Sequence, residues 1–212
     1  MNRNTVTVVT PEAAPLITLT ELKTFLRVDG NDENSLITDF LNAAIDDAKN
    51  YTRRSFINRT LLLTLDGFPY SSNSEWWSGT RQVSQNAIHK KANSIEIPFP
   101  KLVSVSNITT YDYDNSANVF GASNYFVDTA GARVSLNQSG TWPVNLRDTA
   151  AVKVQYVSGY GEAASDVPPA IKIAIQMHVQ KMYEMRQYCD SPESSMAMLN
   201  RYRILDGVSR NG

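Results

Sequence analysis

Apolar residues recur at three- and four-residue steps between Leu36 and Tyr51: Leu36, Ile37, Phe40, Leu41, Ala44, Ile45, Ala48 and Tyr51. That spacing draws one wide apolar stripe and predicts a helix over about 33–53. Asp39, Asp46, Asp47, Lys49 and Asn50 fall on its wet side, and Asn31-Asp32-Glu33-Asn34 brings acids to its positive end. Upstream, Thr18-Leu19-Thr20-Glu21 has the form of a capping box and predicts a short helix, about 19–27, that stops near Gly30. A third helical run, 168–188, carries Ile171, Ile173, Ala174, Ile175, Met177, Val179, Met182, Tyr183 and Met185. It is apolar nearly all round, so it is expected to be central and buried. Asp166 is its expected N-cap, and Pro168 and Pro169 fall in the first turn, where a missing N–H costs nothing. Ser191-Pro192-Glu193 interrupts the pattern, and a last short helix is expected at about 193–205.

Between the second and third helices the period changes from helical to alternating. Thr60–Leu65, Ser94–Ile97, Leu102–Tyr111, Tyr125–Val127, Ala132–Leu136 and Ala151–Val157 read as short strands. Asp112-Tyr113-Asp114-Asn115-Ser116 reads as a turn, and Thr129-Ala130-Gly131 as the tip of a hairpin. The predicted fold is therefore α+β: a helical bundle (helices about 19–27, 33–53, 168–188 and 193–205) with a small antiparallel β-rich part inserted over about 60–158. Residues 1–17, broken by Pro11 and Pro15, read as an extended arm. Residues 18–190 read as one domain containing a long polar loop at 69–94, and residues 191–212 as a C-terminal tail.

Composition narrows the chemistry. At 212 residues, 42% hydrophobic and 19% charged, the chain can bury a core and is not of disordered type. A formal net charge of −1 implies no broad basic surface and so no tight grip on DNA. Cys189 is the single cysteine, so no internal disulfide can form and a reducing compartment suits the chain. No signal-peptide core or apolar run of membrane-spanning length is read, so a cytoplasmic origin and no membrane partner are expected.

Candidate chemical motifs each have a plainer reading. Gly159-Tyr160-Gly161-Glu162-Ala163-Ala164 has the letters of a dinucleotide fingerprint. In a true fingerprint the glycines open the helix and phosphate meets its N-terminus. Here Asp166 and two prolines intervene, so the glycines read as a strand-to-helix turn. His178, flanked one turn away by Ala174 and Met182, reads as a core or interface histidine, and no zinc-ligand spacing accompanies it or His89. The Asp112 turn lacks the glycine and final acid of a calcium loop (Ala117 and Ser123 stand there). Cys189 beside Asp190 is no favoured nucleophile. No catalytic, cofactor or metal residue is therefore assigned, and no enzyme is expected.

Two features read instead as interaction surfaces. Trp76-Trp77 sits between polar neighbours, the kind of residue that anchors interfaces. In the tail, Met196, Met198, Leu199, Tyr202, Ile204 and Leu205 alternate with Asn200, Arg201 and Arg203, and five of the six methionines lie after residue 176. Methionine-rich helices adapt to imperfectly matched partners.

Several short stretches in order carry a resemblance: Leu19–Asp29, the acidic start and alanine-rich run of the second helix, Tyr51-Thr52-Arg53-Arg54, Leu65–Pro69, Ile97-Pro98-Phe99-Pro100, Tyr125–Asp128, and Val157-Ser158-Gly159-Tyr160-Gly161 with Val167-Pro168. Over about residues 17–190 the chain resembles the head–tail connector, or adaptor, proteins of tailed bacteriophages. The resemblance implies a structural protein of the virion neck, assembled in the host cytoplasm. It implies a homo-oligomeric ring, usually of twelve, beneath the portal protein. Such a ring extends the DNA channel, lets DNA pass without specific contact, and docks the next neck or tail protein. It makes Met196, Met198, Leu199, Arg201, Tyr202, Arg203, Ile204 and Leu205 the candidate portal contacts. The 69–94 loop and the N-terminal arm look like additions to the family pattern. The alternative is a stand-alone carbohydrate- or host-surface-binding module using Trp76 and Trp77.

Overall fold

The computed structural model describes residues 5–68, 94–138 and 140–204. In chain order the elements are β1 (Thr5–Thr10), α1 (Leu19–Leu26), α2 (Asn34–Thr52), β2 (Arg59–Leu65), β3 (Ser94–Glu96), β4 (Leu102–Tyr111), β5 (Ala117–Val119), β6 (Tyr125–Asp128), β7 (Arg133–Leu136), β8 (Val152–Ser158), α3 (Pro169–Met185) and α4 (Glu193–Asn200). The fold is mixed α+β. Its described residues divide into two compact units. A β unit is drawn from within 1–10, 60–98 and 102–158, and a helical unit from within 11–59, 99–101 and 159–212.

In the helical unit, α1 and α2 form where the apolar period placed them. The Thr18 hydroxyl accepts the Glu21 N–H at 3.2 Å and caps α1. Leu22 is fully buried, as are Ile37, Ala44 and Ala48 along α2. These residues join Phe56, Ile57, Val167, Ile171, Ile175, Val179 and Met182 in one apolar core. Each fully buried Leu or Ile side chain contributes about 1.5–3 kcal/mol. Three helices share one kind of ending. Their C-caps are Arg27, Arg53 and Arg186, all left-handed (φ 56°, 55° and 55°), and α1 and α2 stop at Leu26 and Thr52, within a residue of where the pattern placed their ends. An arginine held left-handed costs about 1 kcal/mol or more of backbone strain. Its cation at the negative helix end offsets part of that.

Two further expectations are corrected in α3. Its N-cap is Pro168, not Asp166. Asp166 closes a short 3₁₀ turn, Ala164–Asp166, and its carboxylate turns back to accept the Ala163 N–H at 3.0 Å. Nor is α3 buried all round. Ile171, Ala174, Ile175, His178, Val179 and Met182 are buried, but Ile173 and Met185 stand 43% and 49% exposed. Helix α4 is shorter than the periodicity suggested and gives way to turns after Asn200.

The β unit holds a five-stranded sheet in the order β1-β2-β8-β4-β5 and a three-stranded sheet in the order β3-β7-β6. Pairs β1–β2, β4–β8, β4–β5, β3–β7 and β6–β7 are antiparallel. Strands β2 and β8 alternate strictly, burying Leu61, Leu63 and Leu65 on one and Val152, Val154 and Tyr156 on the other. The stretch expected as an N-terminal arm supplies β1 at the sheet margin. Phe68 and Trp142 stack with ring centroids 4.3 Å apart, Phe120 meets both at a tilt, and Tyr125 stacks on Phe120.

Candidate docking surfaces

The C-terminal segment was read as a docking tail, and its side chains now have places. His178 on α3 is 2% exposed and bonded at both ring nitrogens: Nε2 lies 2.8 Å from the Cys189 carbonyl and Nδ1 3.0 Å from the Ser191 hydroxyl. The histidine thus ties down the chain that leaves α3, as its position on the apolar face suggested. The buried Ser195 hydroxyl donates to the Ala174 carbonyl, joining α4 to α3. Leu199 is 2% exposed and belongs to the core of its own unit. Arg54 Nε donates to the Tyr202 carbonyl at 2.6 Å, and the Ile204 N–H to the Thr52 carbonyl at 3.1 Å.

Of the eight tail candidates, then, Leu199 is inside. Met196, Met198, Tyr202 and Ile204 are half-buried, Arg201 and Arg203 are exposed, and Leu205 lies outside the described residues. Arg203 rests over the Tyr51 ring at 4.9 Å. Trp76 and Trp77 also lie outside the described residues, with nearly all of the 69–94 loop.

A second cluster joins the start of α2 to the end of α3. The Glu33 carboxylate accepts from the Tyr183 hydroxyl and from Arg186 Nη1. Those bonds hold the Glu33 carboxyl below its ordinary range and push the Tyr183 hydroxyl and Arg186 upward. The Tyr188 hydroxyl, 3.1 Å from Asp47 Oδ2, is raised by that bond. Near the N-terminus, Lys49 Nζ lies 2.7 Å from Glu12 Oε1, with Arg59 Nη1 at 3.8 Å. Burial raises the Glu12 carboxyl, but Lys49, Glu12's own backbone and Arg59 outweigh it and leave the group lowered.

The glycine turn resolves as packing. A Cβ on Gly159 would lie 2.5 Å from the Asn58 backbone nitrogen, and one on Gly161 would collide with the Asp166 carboxylate. The chain 56–58 crosses here, with Tyr160 N–H bonded to the Phe56 carbonyl and Asn58 N–H to the Gly161 carbonyl. The position a phosphate would need is filled by this chain's own carboxylate. In the β unit, Asp112 Oδ1 accepts the Asp114 and Ser116 N–H groups and shapes the turn read from sequence. Asp128 does the same for the next hairpin through Gly131 N–H and Arg133 Nε, and the Gly131 bond first, then Arg133, lowers its carboxyl. These aspartates are spent on turns. Among the described residues no group of three or more His, Cys, Asp or Glu is placed to hold a metal ion, and no helix is long and apolar enough to cross a membrane.

Sequence reasoning missed the Glu12–Lys49–Arg59 and Glu33–Tyr183–Arg186 clusters. Each joins residues far apart in sequence, so no local spacing announces it.

The geometry among the described residues is one of half-buried surfaces and buried hydrogen-bonded ties. The chain matches the sequence profile of the phage gp6-like head-tail connector proteins over residues 16–139, and it belongs to that family. Its role is that of a structural connector of phage-type particles. No curated protein sequence matches it. Among solved structures, a chain of "Neck of empty GTA particle computed with C6 symmetry" is similar at TM-score 0.72 and 18% identity, over 96% of this chain and 98% of that one. A chain of "Virion of native gene transfer agent (GTA) particle" follows at 0.69 and 18%, over 95% and 98%. One of "Neck of native GTA particle computed with C12 symmetry" follows at 0.69 and 17%, over 96% and 98%. These likenesses establish the shared fold.

Proposed function

We propose that this chain is a non-enzymatic neck protein that forms a homo-oligomeric ring, twelvefold in the simplest case, beneath the portal. The ring continues the DNA channel and offers its far side to the next neck or tail protein. The observation that carries the reading is the near end-to-end likeness to a chain of a C12-symmetric neck, covering 96% of one chain and 98% of the other, alongside membership of the connector family. A near-neutral chain suits a wall past which DNA slides, because few released counterions means little grip. In this reading the helical bundle, with its β part inserted over about 60–158, works as one connector domain of residues 18–190, and 191–212 meets the portal.

The portal contact is narrowed to the side chains of the tail that its own core leaves available. Arg201 and Arg203 lead, with the half-buried Met196, Met198, Tyr202 and Ile204 beside them. Leu199 supports this surface from beneath. The test is co-sedimentation with the portal oligomer of the same particle. The full chain is expected to pellet with the portal, and Arg201→Glu/Arg203→Glu, still folded by circular dichroism, to stay in the supernatant. Undiminished binding by the folded double variant moves the contact elsewhere. No binding by the full chain overturns the portal reading.

A further inference from the structure

Among the described residues the five-stranded sheet ends on two open edges, and they resemble each other. One is β1, Thr5–Thr10, with the sequence TVTVVT. It carries no charge and no proline. Val8 and Val9 are 53% and 50% exposed, and every other residue but Val6 is also exposed. Its register with β2 is regular from Thr5 to Val8 and shifts only between Val8 and Thr10. The other edge is on β4. Strand β5 pairs only with Thr109–Tyr111, so among the described residues the outer side of Leu102–Asn107 has no strand beside it. That segment, LVSVSN, is also uncharged, and Val103 is 45% exposed. Open edges normally carry lysine, proline or an inward charge to stop strands from adding. Here two six-residue uncharged segments lack all three, although β4 shifts register against β8 between Leu102 and Ser104 and between Val105 and Asn107.

We infer that the β1 edge of one copy pairs with the uncovered Leu102–Asn107 edge of β4 in the next copy, so that neighbouring subunits share a continuous sheet. The inference rests on the ring reading above and supplies its contact. Unlike edges on one subunit give a head-to-tail interface, which closes a ring when the rotation per subunit allows. Equal length and matched uncharged composition favour a second copy over an unrelated strand. Backbone N–H and C=O groups supply the bonding, and Val8 and Val103 supply side-chain contact.

Disulfide trapping tests this in a Cys189→Ser background, which removes the native thiol. Within one chain β1 and β4 are three strand spacings apart, ~14 Å, beyond the ~7 Å that a disulfide spans. Any Val8→Cys/Val103→Cys or Val6→Cys/Val105→Cys bond must therefore join two copies. Under mild oxidation of the assembled protein, at least one double variant is expected to give a ladder of linked multimers, and each single variant none. A dimer from Val8→Cys alone overturns the inference in favour of a twofold β1–β1 contact. Intact rings by native mass spectrometry with no ladder overturn it and leave the ring reading standing. Monomer alone, with and without portal, overturns both.

A second arm does not depend on thiol geometry. Val8→Lys/Val103→Lys is expected to abolish assembly with unchanged helical circular dichroism, and Val8→Lys/Val103→Glu to restore it. Full assembly by the Lys/Lys variant counts against the edge contact.

Discussion

The two ends of the described chain differ in how they are tied to the rest of the molecule. The C-terminal segment, methionine-rich and amphipathic, looks like a free docking helix, yet Ser195 and Leu199 are buried and His178 bonds the residues leading into it. The N-terminal stretch reads as an extended arm, yet Thr5–Thr10 is a strand that, among the described residues, pairs on one side only. Hydrophobicity alone therefore does not tell how much of each end is available. Backbone bonding separates the two ends: the tail is anchored through Ser195, Leu199 and the Ile204 N–H and offers side chains only, whereas among the described residues β1 keeps a row of backbone donors and acceptors on its outer side.

That contrast can be broken most forcefully at Leu199. Leu199→Ala is expected to cost about 2–5 kcal/mol in urea unfolding, the usual range for a buried leucine. Val8→Ala should stay within about 0.5 kcal/mol. A loss below about 1 kcal/mol at Leu199 would mean the tail is not part of the core. Next comes His178→Ala, which strands its two partners. A loss of about 1–3 kcal/mol is expected, with faster amide exchange in 189–204 and none gained in β1.

The smallest effect is electrostatic and concerns Glu33. Its folded pKa lies below the ordinary 4.5. The unfolded chain therefore binds more protons in the window between the two values, and stability falls as pH drops through it. Glu33→Gln is expected to flatten that part of the acid limb of a stability–pH profile. An unchanged slope would show that the Tyr183 and Arg186 bonds do not persist in solution.

Much of the helical unit was legible because its signals are local. The stripe from Leu36 to Tyr51 needs only the helical period, and Thr18 with Glu21 needs only four residues. The Asp112 and Asp128 turns follow from short polar side chains that bond their own backbone. What escaped is set by distance along the chain. Asp166 satisfies every local rule for a helix cap, yet it closes a tighter turn against Gly161 and Ala163. Ile173 and Met185 look like core, but the elements packed on α3 cover only part of its circumference. The candidate site divides the same way. The tail's amphipathic pattern was visible, while the choice of Leu199 for the core depends on α2 and α3 meeting it in space. The β1 edge gave no signal, because openness is a property of the assembled sheet.

The order of that sheet also sets a schedule. Its third strand, β8, is the last of the eight described strands to be synthesised, and it lies between β2 and β4. Until residue 158 has left the ribosome, β1–β2 and β4–β5 are separate ribbons with nothing between them, and two-stranded ribbons are only marginally stable in water. The two matched edges then become rigid at once, when β8 inserts. Nascent chains crowded on one message are thereby kept from polymerising early, because the surface that would join them does not form until β8 has been made.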